Sequence, residues 1–211
     1  MYLPAHFEED RPDVMQRLIA EHPLGTIVTL GPDGLTANHI PFLFDMRSGE
    51  RGTLIGHVAR NNDLWRAASG TTEALVIFQG PSAYISPNWY PTKQETHQVV
   101  PTYNYAVVHV HGPLVVHDDM KWVRGLVGKL TKAMERAQAV AWKMADAPPD
   151  FMENQLANIV GIEIPIHRMV GKWKVSQNRV PADREGAAAG LRATGDPANA
   201  AMAELVLKRI P

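Results

Sequence analysis

The chain alternates between short apolar runs typical of strands and a few amphipathic segments with helical spacing. Apolar positions three and four residues apart predict a first helix from about residue 11 to residue 21. Runs rich in β-branched and apolar residues, bounded by turn residues, predict strands. They cover residues 25–30, 35–44, 53–58, 74–78, 84–86, 99–116 and 159–168. The run 74–78 is continuously apolar, which is typical of a strand covered on both faces.

Turn and breaker residues divide these runs. Pro32-Asp33-Gly34 and the polar segment 48–52 predict turns, and Gly80-Pro81 predicts an interruption between two strands. We expect Pro113 to bend the long strand or to place it at a sheet edge. Residues 62–68 fit a short helix, and residues 87–98 fit a long loop of the kind that is often functional.

Three further helices have N-terminal signals. Asp118 or Asp119 is a cap before an apolar stripe that runs to Leu130. Pro148-Pro149 and Asp196-Pro197 begin the other two, the second in an alanine-rich tail. Strands outnumber these helices and short turns join them, so the pattern predicts a mostly antiparallel sheet. The expected class is α+β, mostly β, as a β-barrel with peripheral helices.

Composition narrows the possible functions. The chain has 211 residues, a formal net charge of −1 and no cysteine, which excludes disulfides and thiolate chemistry. No apolar run approaches the roughly 20 residues that span a bilayer, and the N-terminus lacks a secretory signal, so we expect a cytoplasmic protein without membrane contact. Near-neutral charge does not favour unaided binding to nucleic acid, although a local basic patch leaves DNA binding open.

The segment 171–179 contains the most specific candidate chemistry. It holds three cations, no acid, one tryptophan and three short polar residues. The ammonium groups of Lys172 and Lys174, with Ser176 and Gln177, suit a phosphate, and Trp173 suits a flat ring. This combination fits a phosphorylated aromatic cofactor. The alternative is a basic surface loop anchored by its tryptophan.

Three other segments add candidates. Arg60 and Asn61 follow the third strand, where the guanidinium of Arg60 can bind a phosphate. The alternative is that Arg60 is a surface residue and Asn61 caps the next helix. Ser86 and Trp89 lie in the long loop and fit either a ligand wall or loop packing. Strand alternation places Thr102 and Asn104 on one face and Tyr103 and Tyr105 on the other. A buried asparagine there needs a partner, which is either a ligand edge or a neighbouring backbone group.

Several other chemistries lack the required spacing. The nine histidines form no His-x-x-x-His or Glu-x-x-His pair, so we predict no metal site. The glycines of residues 125–131 are wrongly spaced for a phosphate loop. Neither a Gly-x-Ser-x-Gly elbow nor a Gly-x-Gly-x-x-Gly fingerprint occurs, which argues against a serine hydrolase and a Rossmann domain. No catalytic residue is predicted.

Read in order, these motifs resemble the PaiB-type family of FMN-binding negative transcriptional regulators. The matching segments are Met1-Tyr2-Leu3-Pro4, 37–42, 56–61, 78–81, 84–90, 100–105, 109–112 and 171–179. Tyr103 departs from the family, which has tryptophan there, but it remains aromatic. The resemblance extends to about Leu191, so we expect a single domain over 1–191 and a helical tail over 192–211.

The resemblance implies a split β-barrel homodimer with FMN in a cleft between the subunits. Arg60 with Lys172 or Lys174 would hold the phosphate, while Trp89 or Trp173 would wall the ring. Asn61 belongs to the same group of candidates. The ribityl chain and ring edge would contact the remaining polar candidates, Ser86, Thr102, Asn104, Ser176 and Gln177.

The family label implies a flavin-dependent sensor that represses transcription. No helix-turn-helix with a basic recognition helix is evident, and the cations of residues 121–136 fit a solvated helix face equally well. One alternative is an FMN-dependent oxidoreductase that uses NAD(P)H. Another is a haem-binding or haem-degrading protein of the same fold.

Overall fold

The computed structural model describes residues 1–31, 34–66 and 73–208. Its strands are β1 (Glu8–Glu9), β2 (Leu24–Gly31), β3 (Gly34–Pro41), β4 (Leu43–Asp45), β5 (Thr53–Ala59), β6 (Glu73–Ile85), β7 (Thr102–Pro113), β8 (Val115–His117), β9 (Ile159–Pro165) and β10 (Arg168–Lys174). Its α-helices are α1 (Pro12–Glu21), α2 (Lys93–Thr96), α3 (Met120–Met134), α4 (Pro149–Ala157), α5 (Pro181–Ala193) and α6 (Pro197–Leu207). Among the described residues, no helix is long and apolar enough to cross a membrane.

The chain forms two compact units. The first contains the described residues of Met1–His22 and Phe78–Val108 and those from Val170 onward. The second contains the described residues of Pro23–Ile77 and His109–Met169. Strands β6 and β7 each contribute residues to both units. The predicted boundary at residue 191 remains a prediction.

In the first unit the strand order is β1-β10-β7-β6. β1 runs antiparallel to β10, with Glu8 opposite Lys172 and Glu9 opposite Gly171. Helix α1 begins at Pro12 as predicted, and α6 packs against α5. At Gly80, α1 packs closely on β6, since a Cβ there would lie 2.8 Å from Leu18 Cδ1.

In the second unit, β2 pairs with β3 on one side and with the first part of β6 on the other. A second, antiparallel sheet has the strand order β4-β5-β9-β8. Helix α3 covers this sheet. Its Leu126 and Leu130 are buried against Ile55, with Leu43 and Trp122 packed beside them. The predicted cap is confirmed for Asp119, whose carboxylate accepts the Trp122 N–H at 2.7 Å.

Three predicted strands are wrong in extent. The run 99–116 starts only at Thr102 and divides after Pro113, so that β7 and β8 enter different sheets. The run 35–44 divides at Phe42, a fully buried residue whose N–H bonds Pro23, so β3 and β4 enter different sheets. The run 159–168 ends at Pro165, which has no N–H to donate, and β10 starts at Arg168. Consequently residues 171–174 lie in a strand rather than in a loop.

Other predictions from local sequence patterns were wrong because tertiary packing determines the structure at those residues. The interruption at Gly80-Pro81 is wrong, since β6 is continuous and its glycine admits α1. Burial along residues 74–78 alternates, so that strand is not fully covered on both faces. Residues 62–66 form turns rather than a helix, and the rest of that prediction lies outside the described residues, as do Pro32 and Asp33 of the predicted turn. The long loop contains a short 3-10 helix (Pro87–Trp89) and α2.

The α+β class and the antiparallel sheets are confirmed. Helix α5 was not predicted at all, because its alanines and glycines carry little hydrophobic periodicity. This helix packs against Trp89, a candidate site residue.

Candidate functional site

Strand β10 presents its side chains alternately to two faces. Lys172 and Lys174 share one face, and Gly171 and Trp173 share the other. Trp173 is only 4% exposed and lines a cavity with α1 and α6. A Cβ on Gly171 would lie 2.7 Å from the carbonyl oxygen of Glu9, so this glycine permits close packing of two strands. The tryptophan and the two lysines therefore point in opposite directions.

The two lysines are held by uncharged groups. Lys172 Nζ donates to the carbonyl of Tyr2 at 3.0 Å and lies 5.3 Å from the ring centroid of Tyr105. Lys174 Nζ donates to the hydroxyl of Thr102 and, at 2.7 Å, to the carbonyl of Tyr103. Because no negative charge takes part in these contacts, the cationic charge is not neutralised by them.

A third cation adds to the positive potential. Burial lowers the pKa of the Lys174 ammonium, and the nearby charges of Lys172 and Arg179 lower it further. Arg179 itself stacks over Tyr90, with its guanidinium carbon 4.9 Å from the ring centroid. An anion placed beside these three cations would be stabilised by their combined positive charge. We call Lys172, Lys174 and Arg179 the cation cluster.

Two further candidates form a buried polar pair in the same unit. Asn104 Nδ2 donates to Ser176 Oγ at 2.8 Å, and the two residues are 1% and 4% exposed. Ser176 has a φ of 62°, a left-handed conformation that is uncommon for a residue with a side chain. The sequence predicted that a buried Asn104 would need a partner, and the structure supplies a side chain.

Gln177 holds the turn that follows β10. Its side-chain oxygen accepts the N–H of Val175 at 2.7 Å, and its amide nitrogen donates to the carbonyl of Trp173. The N–H of Arg179 donates to the Ser176 carbonyl at 3.0 Å. These bonds fix the backbone that presents Ser176 and Arg179.

Ser86 and Trp89 have local structural roles. The Ser86 hydroxyl accepts the N–H of Asn88 at 3.2 Å and so caps the short 3-10 helix. Trp89 packs on α5 at Gly190, where a Cβ would lie 2.3 Å from the indole ring. A Cβ on Gly186 would lie 2.1 Å from the carbonyl oxygen of Trp89. Two glycines four residues apart are the sequence signal that could have revealed this contact.

Arg60 belongs to the second unit and has an acidic partner. Its NH1 and NH2 groups bond the two carboxylate oxygens of Asp118 at 3.0 and 2.6 Å, and Nε donates to the Ala157 carbonyl at 2.6 Å. This hydrogen bonding raises the pKa of Arg60 and lowers that of Asp118. A phosphate at Arg60 would compete with Asp118. The roles of Arg60 and of the exposed Asn61 remain predictions.

The sequence predicts neither the contacts of Tyr2 and Tyr105 with Lys172 nor Arg179 as a candidate ligand. A backbone carbonyl near the N-terminus that accepts a hydrogen bond from Lys172 has no local sequence signal. Across the described ranges, no group of three or more histidine, aspartate or glutamate residues is placed to hold a metal ion.

The sequence matches a protein family described as "Putative FMN-binding domain" over residues 1–168. The chain belongs to this family. The match confirms the predicted family resemblance and FMN as the cofactor.

Curated relatives cover nearly the whole chain. The Bacillus subtilis protein named Protease synthase and sporulation protein PAI 2 is 31% identical over 98% of this chain and 96% of its own length. An uncharacterised protein of Emericella nidulans is 32% identical over 99% of this chain and 97% of its own length. The similarity therefore extends through the α5 and α6 region.

Solved structures show the same fold at low sequence identity. The FAD and heme binding protein of Mycobacterium smegmatis has a TM-score of 0.56 at 16% identity, covering 79% of this chain and 73% of its own. The flavocytochrome Anf3 of Azotobacter vinelandii has a TM-score of 0.58 at 8% identity, covering 79% of this chain and 69% of its own. The predicted split-barrel fold is thereby confirmed.

Proposed function

We propose that the cation cluster binds the phosphate of FMN and that the protein acts as a flavin-dependent regulator of transcription. The observation that carries the first part is the clustering of Lys174 with Lys172 and Arg179, while the hydrogen bonds of Lys174 go only to uncharged acceptors. A phosphate near pH 7 carries up to two negative charges and several acceptor oxygens, which match this arrangement.

The surrounding residues fit the rest of the ligand. Thr102 and Asn104 lie on β7 beside β10, and each contacts a candidate on the neighbouring chain segment, Lys174 or Ser176. Hydroxyl and amide groups of this kind suit a ribityl chain or the polar edge of a flavin ring. When bound, FMN supplies reversible electron transfer. The protein's own contribution is to bind and orient.

The side chains around the cluster support a binding role over catalysis. They are ammonium, guanidinium, hydroxyl and amide groups, which do not exchange protons at neutral pH without a large pKa shift. A relative whose name refers to sporulation supports regulation as the physiological role. The FMN-dependent oxidoreductase is the competing proposal, and turnover distinguishes the two.

The phosphate site is tested by removing charge. Lys172→Gln with Lys174→Gln should weaken FMN binding at least about tenfold, since a hydrogen bond to a charged group contributes about 1.5–3 kcal/mol. The matched control is Lys121→Gln with Arg124→Gln, which removes the same charge from the exposed surface of α3. Quenching of flavin fluorescence measures affinity, and equal affinity in both double variants would exclude this phosphate site.

The regulatory role is tested with the flavin-loaded protein. A gel shift with the protein's own promoter at physiological salt, and with flavin oxidised or reduced, should show binding that depends on the flavin state. No shift with purified protein, but a shift after adding cell extract, would indicate action through a partner. Steady oxidation of NAD(P)H with a cellular acceptor would overturn the proposal in favour of an enzyme.

We also propose a homodimer with FMN at the subunit interface, as the family resemblance implies. Light scattering after size-exclusion chromatography should give twice the mass of the 23.3 kDa chain. A monomer that still binds FMN would contradict this part alone.

A further inference from the structure

The second unit contains a large apolar cavity that the flavin proposal does not use. It has a volume of about 1040 Å³ and is bounded by β4, α3 and the segment 141–144. Small-molecule sites are typically about 300–1,000 Å³. Its apolar lining consists of Leu43, Phe44, Met46, Ala133, Ala141, Trp142 and Met144. None of these residues belongs to the cation cluster.

The outer wall of the cavity exposes large apolar side chains. Trp142 is 43% exposed and Met46 is 59% exposed. The carboxylate of Glu135 accepts the backbone N–H of Trp142 at 2.9 Å and so connects this wall to the end of α3. Met144 approaches α3 at Gly128, where a Cβ would lie 3.7 Å from its sulfur. Exposed apolar surface of this kind is typical of a binding site.

The rim of the cavity is positively charged. Five cationic and two acidic side chains line it, although the whole chain has a net charge of −1. The acids are already engaged: Asp45 accepts a hydrogen bond from Lys129 at 3.0 Å, which lowers its pKa, and Glu135 bonds the Trp142 N–H. Lys132 and Arg136 are both exposed, and they contribute to the excess of cationic over acidic side chains at the rim.

We infer that this cavity binds a single-chain anionic amphiphile, with its apolar part between β4 and Trp142 and its acidic head at Lys132 and Arg136. The apolar lining accounts for the chain, and the surplus cations account for the head. The cavity lies wholly within the second unit, so the inference stands whether or not the cation cluster binds FMN.

The probe is anilinonaphthalene sulfonate, an anionic dye whose fluorescence rises in apolar sites, with dodecanoate as competitor. We expect saturable binding to the flavin-free protein that dodecanoate displaces. Ala133→Trp places a bulky side chain into the cavity from an exposed position and should weaken dye binding more than about tenfold. Met134→Trp, at the next residue of α3 and outside the lining, should leave binding unchanged.

A second pair of variants tests the charge. Lys132→Gln with Arg136→Gln should weaken the anionic dye about tenfold, while the neutral analogue phenylnaphthylamine changes by about twofold or less. Lys121→Gln with Arg124→Gln is the control, since it removes the same charge from the exposed surface of α3 outside the cavity lining. Equal loss for both dyes, or no effect of Ala133→Trp, would overturn the inference. So would sedimentation with phosphatidylglycerol vesicles that requires Lys132 and Arg136 but survives Ala133→Trp, because that would indicate a membrane surface contact.

Discussion

The contact between Trp89 and helix α5 can be tested by adding one methyl group at Gly190. In Gly190→Ala the new Cβ would lie 2.3, 2.4 and 2.6 Å from three atoms of the Trp89 indole ring. Carbon atoms in favourable contact are about 3.5–4.0 Å apart. Either the indole or the helix must therefore move, and the loop that carries Ser86 and Trp89 would move with it.

Two opposing effects determine the size of the change. Overpacking of a well-packed site costs about 1–3 kcal/mol. Replacing glycine by alanine inside a helix contributes about 1 kcal/mol of stability. Because an approach of 2.3 Å is far inside van der Waals contact, the cost of overpacking should lie in the upper part of this range, about 2–3 kcal/mol. The net loss in the free energy of unfolding is then about 1–2 kcal/mol. For a chain of this size the melting temperature should fall by about 2–8 °C.

The assay is thermal and chemical unfolding with a control of opposite sign. Gly125→Ala is a change inside α3 where no atom lies within 4 Å of the new Cβ, so it should raise stability by about 1 kcal/mol. In a Trp89→Ala background, Gly190→Ala should no longer destabilise the protein, because the overlap with the indole is gone. If Gly190→Ala raises the melting temperature as Gly125→Ala does, the packing of Trp89 on α5 is refuted.

The remaining predictions concern buried polar groups. Burial lowers the pKa of the His57 imidazole below its usual 6.5. The unfolded chain therefore binds the proton more tightly, and stability falls as the pH drops below about 6.5. His57→Phe should flatten this decline in melting curves recorded between about pH 7 and 5. Asp183→Ala should cost about 1–3 kcal/mol in urea unfolding, because it leaves the N–H of Thr92 without the carboxylate that accepts it at 3.1 Å. Thr92→Val keeps that N–H bond and should cost less; an equal cost would contradict this assignment. Asn104→Leu and Ser176→Ala should each destabilise, and their double variant should cost less than the sum, whereas additive effects would show that the two side chains are uncoupled.

The fold could be predicted well where the signal is local. Helix α1, the cap at Asp119 and the start of α4 at Pro149 follow from residues within one turn of each helix end. The strands β2 and β5 follow from apolar runs bounded by turn residues. Predictions failed at Gly80 and Phe42, where the outcome depends on residues distant in sequence.

In the candidate site, too, local properties could be predicted and contacts between distant residues could not. Strand alternation correctly separated Asn104 from Tyr103 and Tyr105, since the period of a strand is a local property. The partner of Asn104 lies 72 residues away, and the carbonyl that holds Lys172 belongs to Tyr2. No local pattern encodes such contacts.

The sequence by itself determined the α+β class, the FMN family and the residue types that suit a phosphate. Only the tertiary structure decided which of those residues from distant segments come together. It placed residues 171–174 in a strand, gave Arg60 an acidic partner, and packed Trp89 on a helix that the sequence did not reveal. The physical reason is that residue type and periodicity are set along the chain, whereas charge neutralisation and close packing depend on which segments meet when it folds.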